Sequence, residues 1–448
     1  MKVLLIQSPL GRKQELTFPI GLACLATALE QHEVMAFDPS AAEQPLLEMQ
    51  RTLEKTNPSV IGVSLRNVDT TQSWDVFSYF DVFAQAVKKI REMEPYVKLV
   101  AGGAGFSMFP QEIMKRVPEI DYGVFLEGEH TFPILLKNLD HPERVPGVYF
   151  RRGNELLFTG CSELLDFDKL PMPKRDIPGL SPEKYRNASY SVGIQTKRGC
   201  AHRCSYCTYP IIQGKQVRTR APRKVVDEIE QVRDLFDTDE IVFADTVFNF
   251  PPEHSRRICK ELIERKLKVK WKAWFREDLM NKASVIEAVK AGCQLFEFSP
   301  DGGSQEALDV LQKDMSTRDV MKMCEIASQI EGVNVAFNFM CNVPGETAGT
   351  IASFMKLLAS ITAKCREKLQ WLGLTRIRIY PNTEMCRIAQ RQRMISAETD
   401  LLSPTFYDPA PFNILYSIAL SAFDRKNILT LVSPRTVQRR LAIKGENL

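Results

Sequence analysis

Apolar and polar positions follow two alternating periods through the first third of the chain. Lys2–Ser8 (KVLLIQS) is a short apolar run closed by Pro9, which predicts a buried strand. Residues 18–31 follow, with Leu22, Leu25, Ala26 and Leu29 at helical spacing. Further strand-like runs, HEVMAFD, PSVIGVSL, VKLVAGG and DYGVFLEG, are separated by helical runs at 46–55, 77–93, 110–117 and 130–139. Five strands interleaved with helices predict an α/β unit over residues 1–145, a doubly wound parallel five-stranded sheet.

The period then breaks. Residues 148–150 and 156–158, around Arg152-Gly153-Asn154, read as a hairpin, and 168–182 is rich in proline and charge, so residues 146–190 are expected to form a hairpin and linker. From 191 to 385 strand-like runs return at 192–197, 240–244, 270–274, 295–298, 333–340 and 374–380, with amphipathic helical runs such as 224–236 between them. Six such units predict a partial (β/α)6 barrel, whose chemistry belongs at the carboxyl ends of its strands. Residues 386–448 read as a short, mainly helical C-terminal cap, with a helical run at 412–423.

Composition narrows the class without choosing a substrate. The apolar content is 44%, charged residues make up 25% and the formal charge is +4, ordinary for a globular protein. Basic clusters at 218–224 and 435–440 read as solvated faces, so a nucleic-acid partner is not expected. The first apolar run has four residues before Gln7, too short for a signal peptide, and no stretch reaches the roughly 18 residues of a membrane span. Eleven cysteines without a secretion signal predict reduced thiols and a cytoplasmic location.

Three of those cysteines stand apart. Cys200, Cys204 and Cys207, in IQTKRGCAHRCSYCTYP, have the spacing CxxxCxxC, which random placement of 11 cysteines in 448 residues would give only about 0.007 times. Three thiolates on one loop can hold three irons of a 4Fe-4S cluster and leave the fourth open. A zinc loop, or three unrelated buried thiols, are the other readings of the spacing. In the first unit, ligands are expected beyond the strand ends. There the sequence places Gly21 (in PIG), Leu65, Arg66, Asn67 and Asp69, then Gly102, Gly103 and Ala104 (in GGAG), and Glu127 and Gly128 (in EGE).

The cysteine motif preceded by KRG, with Tyr206 before the last cysteine, resembles the signature of the radical S-adenosylmethionine (SAM) superfamily. With PIG, GGAG and EGE upstream, nearly the whole chain resembles the cobalamin-dependent radical SAM family, methyltransferase type, whose N-terminal domain is a Rossmann-like cobalamin-binding sheet. The resemblance implies three cofactors: a 4Fe-4S cluster on the three cysteines, SAM and cobalamin. Cobalamin contacts would come from the strand-end residues just named. SAM contacts would come from Tyr206, Asp245 and Thr246 (ADTVFN), Arg276 (WFRED), Asp301 and Ser304 (PDGGS), with PGET at 344–347 and YPNT at 380–383 closing later strands. None of the five histidines, His32, His130, His141, His202 and His254, lies in a DxHxxG motif, which implies cobalamin bound without a histidine ligand.

The activity implied is C-methylation of an unactivated carbon. A 5'-deoxyadenosyl radical from one SAM abstracts hydrogen, and a methyl from another SAM reaches the substrate radical by way of methylcobalamin. A non-methylating cyclisation or ring contraction, and a non-catalytic cobalamin or cluster sensor, are the alternatives. Methylthiotransferases place three cysteines in the N-terminal domain, where this chain has only Cys24 and Cys161 before Cys200. The implied partners are an electron donor such as flavodoxin or ferredoxin and a substrate that is a small molecule, a peptide or a protein residue.

Overall fold

The computed structural model describes residues 1–8, 16–73, 76–416 and 418. Five parallel strands, β1 (Lys2–Ser8), β2 (Glu33–Phe37), β3 (Val60–Leu65), β4 (Lys98–Gly102) and β5 (Tyr122–Val124), stand in the order 2-1-3-4-5. Helices Ile20–Ala28, Pro45–Thr56, Tyr79–Met93 and Gly128–Lys137 cross between and after them. Both sheet faces are covered, and β1 shows how: Val3 and Leu5 point into one apolar core while Leu4 and Ile6 point into another. This chain reversal puts a crevice between the carboxyl ends of β1 and β3.

The hairpin expected in the linker, β6 (Val148–Arg152) and β7 (Glu155–Phe158), pairs antiparallel onto β5 and makes the first sheet seven-stranded. Its strands carry residues for both sheet faces, Val148 and Phe150 to one core and Tyr149 to the other, so pairing buries what a free hairpin would expose. A short helix, Ala104–Met108, follows β4.

The second sheet begins with β8 (Gly193–Ile194). An antiparallel ribbon of β9 (Lys197–Arg198) and β10 (Arg218–Thr219) follows, and the segment between its strands carries all three cysteines. Then β11 (Glu240–Phe243), β12 (Lys270–Phe275), β13 (Cys293–Asp301), β14 (Val335–Cys341) and β15 (Leu369–Arg378) run parallel to β8 in chain order, with β16 (Phe406–Tyr407) antiparallel at the far edge. Six parallel strands with helices on one face form the partial barrel. β15 starts five residues before the expected run, because Leu369–Gly373 includes only half-buried residues besides Leu372 and reads weakly as a strand.

The two units are joined by apolar and ionic contacts. Phe18, ahead of the first helix, meets Tyr185 and Phe236 of the second unit edge-on at 5.2 and 5.1 Å. Asp69, beyond β3, pairs with Arg378 at the end of β15 at 2.8 Å, with both side chains buried. Among the described residues no helix is long and apolar enough to cross a membrane. The expected helix at 412–423 lies only partly, and the basic cluster at 435–440 not at all, within the described residues.

Candidate active site

The cysteine segment hangs from the β9–β10 ribbon. Cys200 N–H donates to Gly214 O at 3.0 Å and Cys207 N–H to Cys204 O at 3.1 Å, which folds the cysteine segment into a tight loop. Gly199 takes φ +91°, and a Cβ there would meet Gln216 O at 2.1 Å, so only glycine fits directly before the first cysteine. Burial pushes the Cys207 thiol up to about 12 and raises that of Cys200, so an iron that binds there displaces protons. Among the described residues no three His, Cys, Asp or Glu side chains converge at the spacing of a single ion. A cubane needs no such convergence, since each thiolate takes a different iron, whereas zinc requires it.

The SAM expectations meet a set of polar groups already bonded to one another. Asp245 accepts from Thr196 N and Oγ1 at 2.8 and 2.6 Å and from Lys197 N at 3.2 Å, so its carboxylate braces the strand end that leads into the cysteine segment. Burial raises its pKa and lowers that of Lys197, outweighing their attraction. Thr246 leans on Gly199 O at 3.4 Å. Arg276, expected to meet a carboxylate of the ligand, instead holds Asp278 through Nε and Nη2, both at 3.0 Å, and Lys313 O at 2.7 Å. Its fork is satisfied within two residues of chain. Ser304 caps the helix Gln305–Val310 through Ala307 N.

Asp301 stands at φ +64° and accepts from the Tyr206 hydroxyl and from Lys313 Nζ at 2.7 Å. Tyr206 lies between two of the cysteines, so this bond ties the cysteine loop to the end of β13. Burial opposes a charge on Lys313, but the Asp301 carboxylate holds its pKa above the ordinary lysine range. The sequence offered no sign of Lys313, whose partner is twelve residues back across a turn. Asn342 takes φ +57° and donates to Asp408 and Pro409 O, a use that glycine could not make of the same backbone.

Beside this network Glu277 is buried, and neither of its oxygens has a hydrogen-bond partner. Burial pushes it up to about 8, only partly opposed by Lys313. The folded protein therefore holds a proton that the unfolded chain, near 4.5, releases, and stability falls as pH rises from about 4.5 to about 8. Glu277→Gln is expected to remove a loss on the order of 1 kcal/mol per pH unit across that window. Urea unfolding midpoints at pH 5.5 and 8.5 check it, with the variant's gain relative to the parent larger at the higher pH.

A groove of about 250 Å³ opens at the crevice of the first sheet. Gly21, Gly102, Gly103, Ala104, Glu127 and Gly128 line it, while Leu65, Arg66, Asn67 and Asp69 do not. Gly103 takes φ +97°, and its Cβ would strike Leu65 O at 2.6 Å; a Cβ on Gly21 would meet nothing, so the wall there stays low. Asp69 is corrected from ligand contact to the buried pair with Arg378. The Glu127 carboxylate is bonded to Arg218 at 2.7 and 3.0 Å and to Leu165 N, and Glu129 to Arg198. Groove residues that the sequence did not single out include Ser64, Ser107, Gln195, Arg198 and Gln213. Gln195, Arg198 and Gln213 flank the cysteines, so the same cavity wall is built from both units.

A doubly wound sheet with a groove at its switch point, facing a three-thiol loop at the mouth of a partial barrel, defines a two-domain enzyme that uses an iron–sulfur cluster. A family model for the B12 binding domain matches residues 13–136 and one for the radical SAM superfamily matches 194–358. The chain thus joins a B12 binding domain to a radical SAM domain, and the cofactors of these two domains are cobalamin, SAM and a 4Fe-4S cluster. An uncharacterized methyltransferase of Pyrococcus horikoshii is 24% identical over 83% of this chain and 78% of its own length. An anaerobic magnesium-protoporphyrin IX monomethyl ester cyclase of Cereibacter sphaeroides is 25% identical over 60% of this chain, which spans 46% of that relative. The fold is similar to the radical SAM methyltransferase TsrM from Kitasatospora setae, with TM-score 0.78 and 20% identity over 92% of this chain and 81% of that one. It also resembles the cobalamin-dependent radical enzyme OxsB, with TM-score 0.74 and 16% identity over 94% of this chain and 66% of that one.

Proposed function

We propose that the protein is a C-methyltransferase, adding a methyl group from SAM to an unactivated carbon of its substrate. The observation that carries this is the shared wall: Gln195, Arg198 and Gln213 beside the cysteine loop line one groove with Gly21, Gly102, Gly103 and Gly128 of the first sheet. A methyl donor on one domain and a radical source on the other can then act on one carbon. When bound, the cofactors supply a 5'-deoxyadenosyl radical and a methyl group carried on cobalt.

The chain's own residues hold these parts. Cys200, Cys204 and Cys207 would ligate the cluster. Asp245 and the Asp301–Tyr206 contact set the loop from below and from the side. Arg198 bonds Glu129 and lies 3.4 Å from Glu127, so the cluster segment and the corrin-side loop move as one piece. The low glycine ends at Gly21 and Gly102 admit a broad flat ring close to the backbone. We assign the units as proposed from the sequence: 1–145 for cobalamin, 146–190 for hairpin and linker, 191–385 for the barrel and 386–448 for the cap. All eleven cysteines are free, which supports a reducing, cytoplasmic setting and a flavodoxin- or ferredoxin-type electron donor.

The similarity to the cyclase favours a second reading, a rearrangement without methylation. The test is an anaerobically reconstituted sample given dithionite, SAM with a labelled methyl and a candidate substrate. Methylation predicts 5'-deoxyadenosine and S-adenosylhomocysteine in equal amounts with label in the product. 5'-Deoxyadenosine with an unlabelled, rearranged product would replace this reading with the second, and no SAM cleavage at all would remove both.

A further inference from the structure

The turn 311–314 is built against the cysteine segment. It links the helix Gln305–Val310 to the helix Thr317–Gln329, and two of its residues, Gln312 at φ +54° and Asp314 at φ +50°, take the left-handed conformation without being glycine. Such strain persists only where the surroundings impose it. Here Ser205 N–H donates to Leu311 O at 2.9 Å, and Arg203 Nη2 lies 3.6 Å from Asp314 Oδ2. From the side of β12, Arg276 Nη2 donates to Lys313 O at 2.7 Å.

Lys313, between the two strained residues, is buried. Its ammonium donates to Asp301 Oδ2 at 2.7 Å, to Ser299 O at 2.8 Å and to the Tyr206 hydroxyl at 3.4 Å, so all three donors find acceptors within the protein. Tyr206, between Cys204 and Cys207, donates in turn to Asp301. A buried ion pair is thereby fixed against the cysteine segment through one tyrosine. Its charge reaches the thiols: burial raises Cys200 and Cys207, and Lys313 is among the groups that oppose the rise, while Cys204 in turn favours the charged lysine. Arg276, the other cation that acts on Cys200, is held by Asp278.

We infer that Lys313 is a positioning residue for electron entry: with Asp301 it fixes the charge beside the cysteine segment and so sets the potential at which a cluster bound there accepts an electron. Reduction adds a negative charge to a segment that already carries three thiolates, and cluster potentials follow the net charge and hydrogen bonding around them. Away from water that charge is poorly screened, so a fixed ammonium counts for more than one on the surface. The Lys313–Asp301 pair has no net charge, and removing either member leaves one charge of known sign. Without Lys313 the Asp301 anion disfavours the added electron; without Asp301 the ammonium favours it. A brace that only held the loop would not give opposite shifts. The inference rests on the proposed function only for the presence of a cluster, not for methylation.

The test is a redox titration of the anaerobically reconstituted full chain without SAM, followed by the electron paramagnetic resonance signal of the reduced cluster. At a fixed solution potential Lys313→Met is expected to lower the ratio of reduced to oxidised cluster by at least about tenfold, a midpoint about 59 mV more negative for one electron, and Asp301→Asn to raise it by a similar factor. Lys313→Arg, which keeps the charge, is expected to stay within about threefold of the parent. Shifts of the same sign in Lys313→Met and Asp301→Asn, or no shift in either, overturn the inference. Where Lys313→Met takes up no iron, Asp301→Asn decides alone, and anything but an upward shift overturns it. Loss of iron from both neutral variants overturns it too, since the turn would then be a brace and nothing more. SAM cleavage is measured separately: opposite shifts in a protein that cleaves no SAM would remove the methyltransferase reading and leave this inference standing, and an unaltered protein that takes up no cluster would remove both.

Discussion

Alanine at any one of Cys200, Cys204 or Cys207 is expected to take iron from about four atoms per chain to below about one and to reduce SAM cleavage by at least about a thousandfold. Two remaining thiolates cannot hold a cubane that already has one open iron, so the loss is all-or-none rather than graded. Cys161, which is exposed, and Cys259, buried in the helix layer, serve as controls whose alanine variants keep their iron. Gly199→Ala tests the loop's backbone rather than its ligands. Its Cβ would meet Gln216 O at 2.1 Å, so cluster content should fall while every cysteine remains. Iron and sulfide content, with the cubane absorbance, checks all six variants. Full iron in a single-cysteine variant would remove the cluster assignment.

What the sequence made legible follows the range over which each signal acts. The five strands of the first sheet showed as apolar runs because both of their faces are buried, Val3 and Leu5 on one side and Leu4 and Ile6 on the other. The cysteine loop showed because its ligands lie within eight residues. Side-chain destinations were not legible, because they depend on partners far along the chain. Asp69 finds Arg378 more than three hundred residues away, and Arg198 finds Glu129 across the domain boundary. Arg276 was expected to meet a ligand carboxylate, and Asp278 offers one two residues on.

Asp69→Ala is expected to cost about 3–5 kcal/mol, because it leaves the Arg378 guanidinium buried without its counter-charge. The size follows from how completely that arginine is enclosed: its side chain is 3% exposed and that of Asp69 is 1%. Arg378 spends its other donors on Ile379 O at 2.6 Å and Leu401 O at 2.8 Å, and its guanidinium lies 4.8 Å from the Tyr380 ring centroid. The pair therefore joins the end of β3, the end of β15 and the segment before β16 at one point. Arg378→Lys is expected to recover little, since a single ammonium cannot reproduce a planar fork that serves a carboxylate and two carbonyls at once. Arg116 and Asp400 also link the two units, at 2.7 Å, but they are 43% and 39% exposed, and Arg116→Ala should cost under about 1 kcal/mol. Salt separates the two cases, because screening weakens an exposed pair and barely reaches a buried one. Urea unfolding at low and high salt measures both. Corrinoid uptake gives a second readout for Asp69→Ala: the end of β3, from which the Asp69 loop leaves, supplies Leu65 O beside Gly103 and Gly105, so a freed loop should lower cobalamin content along with stability. A variant with full stability and full corrinoid would mean that the apolar packing of Phe18 and the Arg198–Glu129 and Glu127–Arg218 pairs hold the units without it.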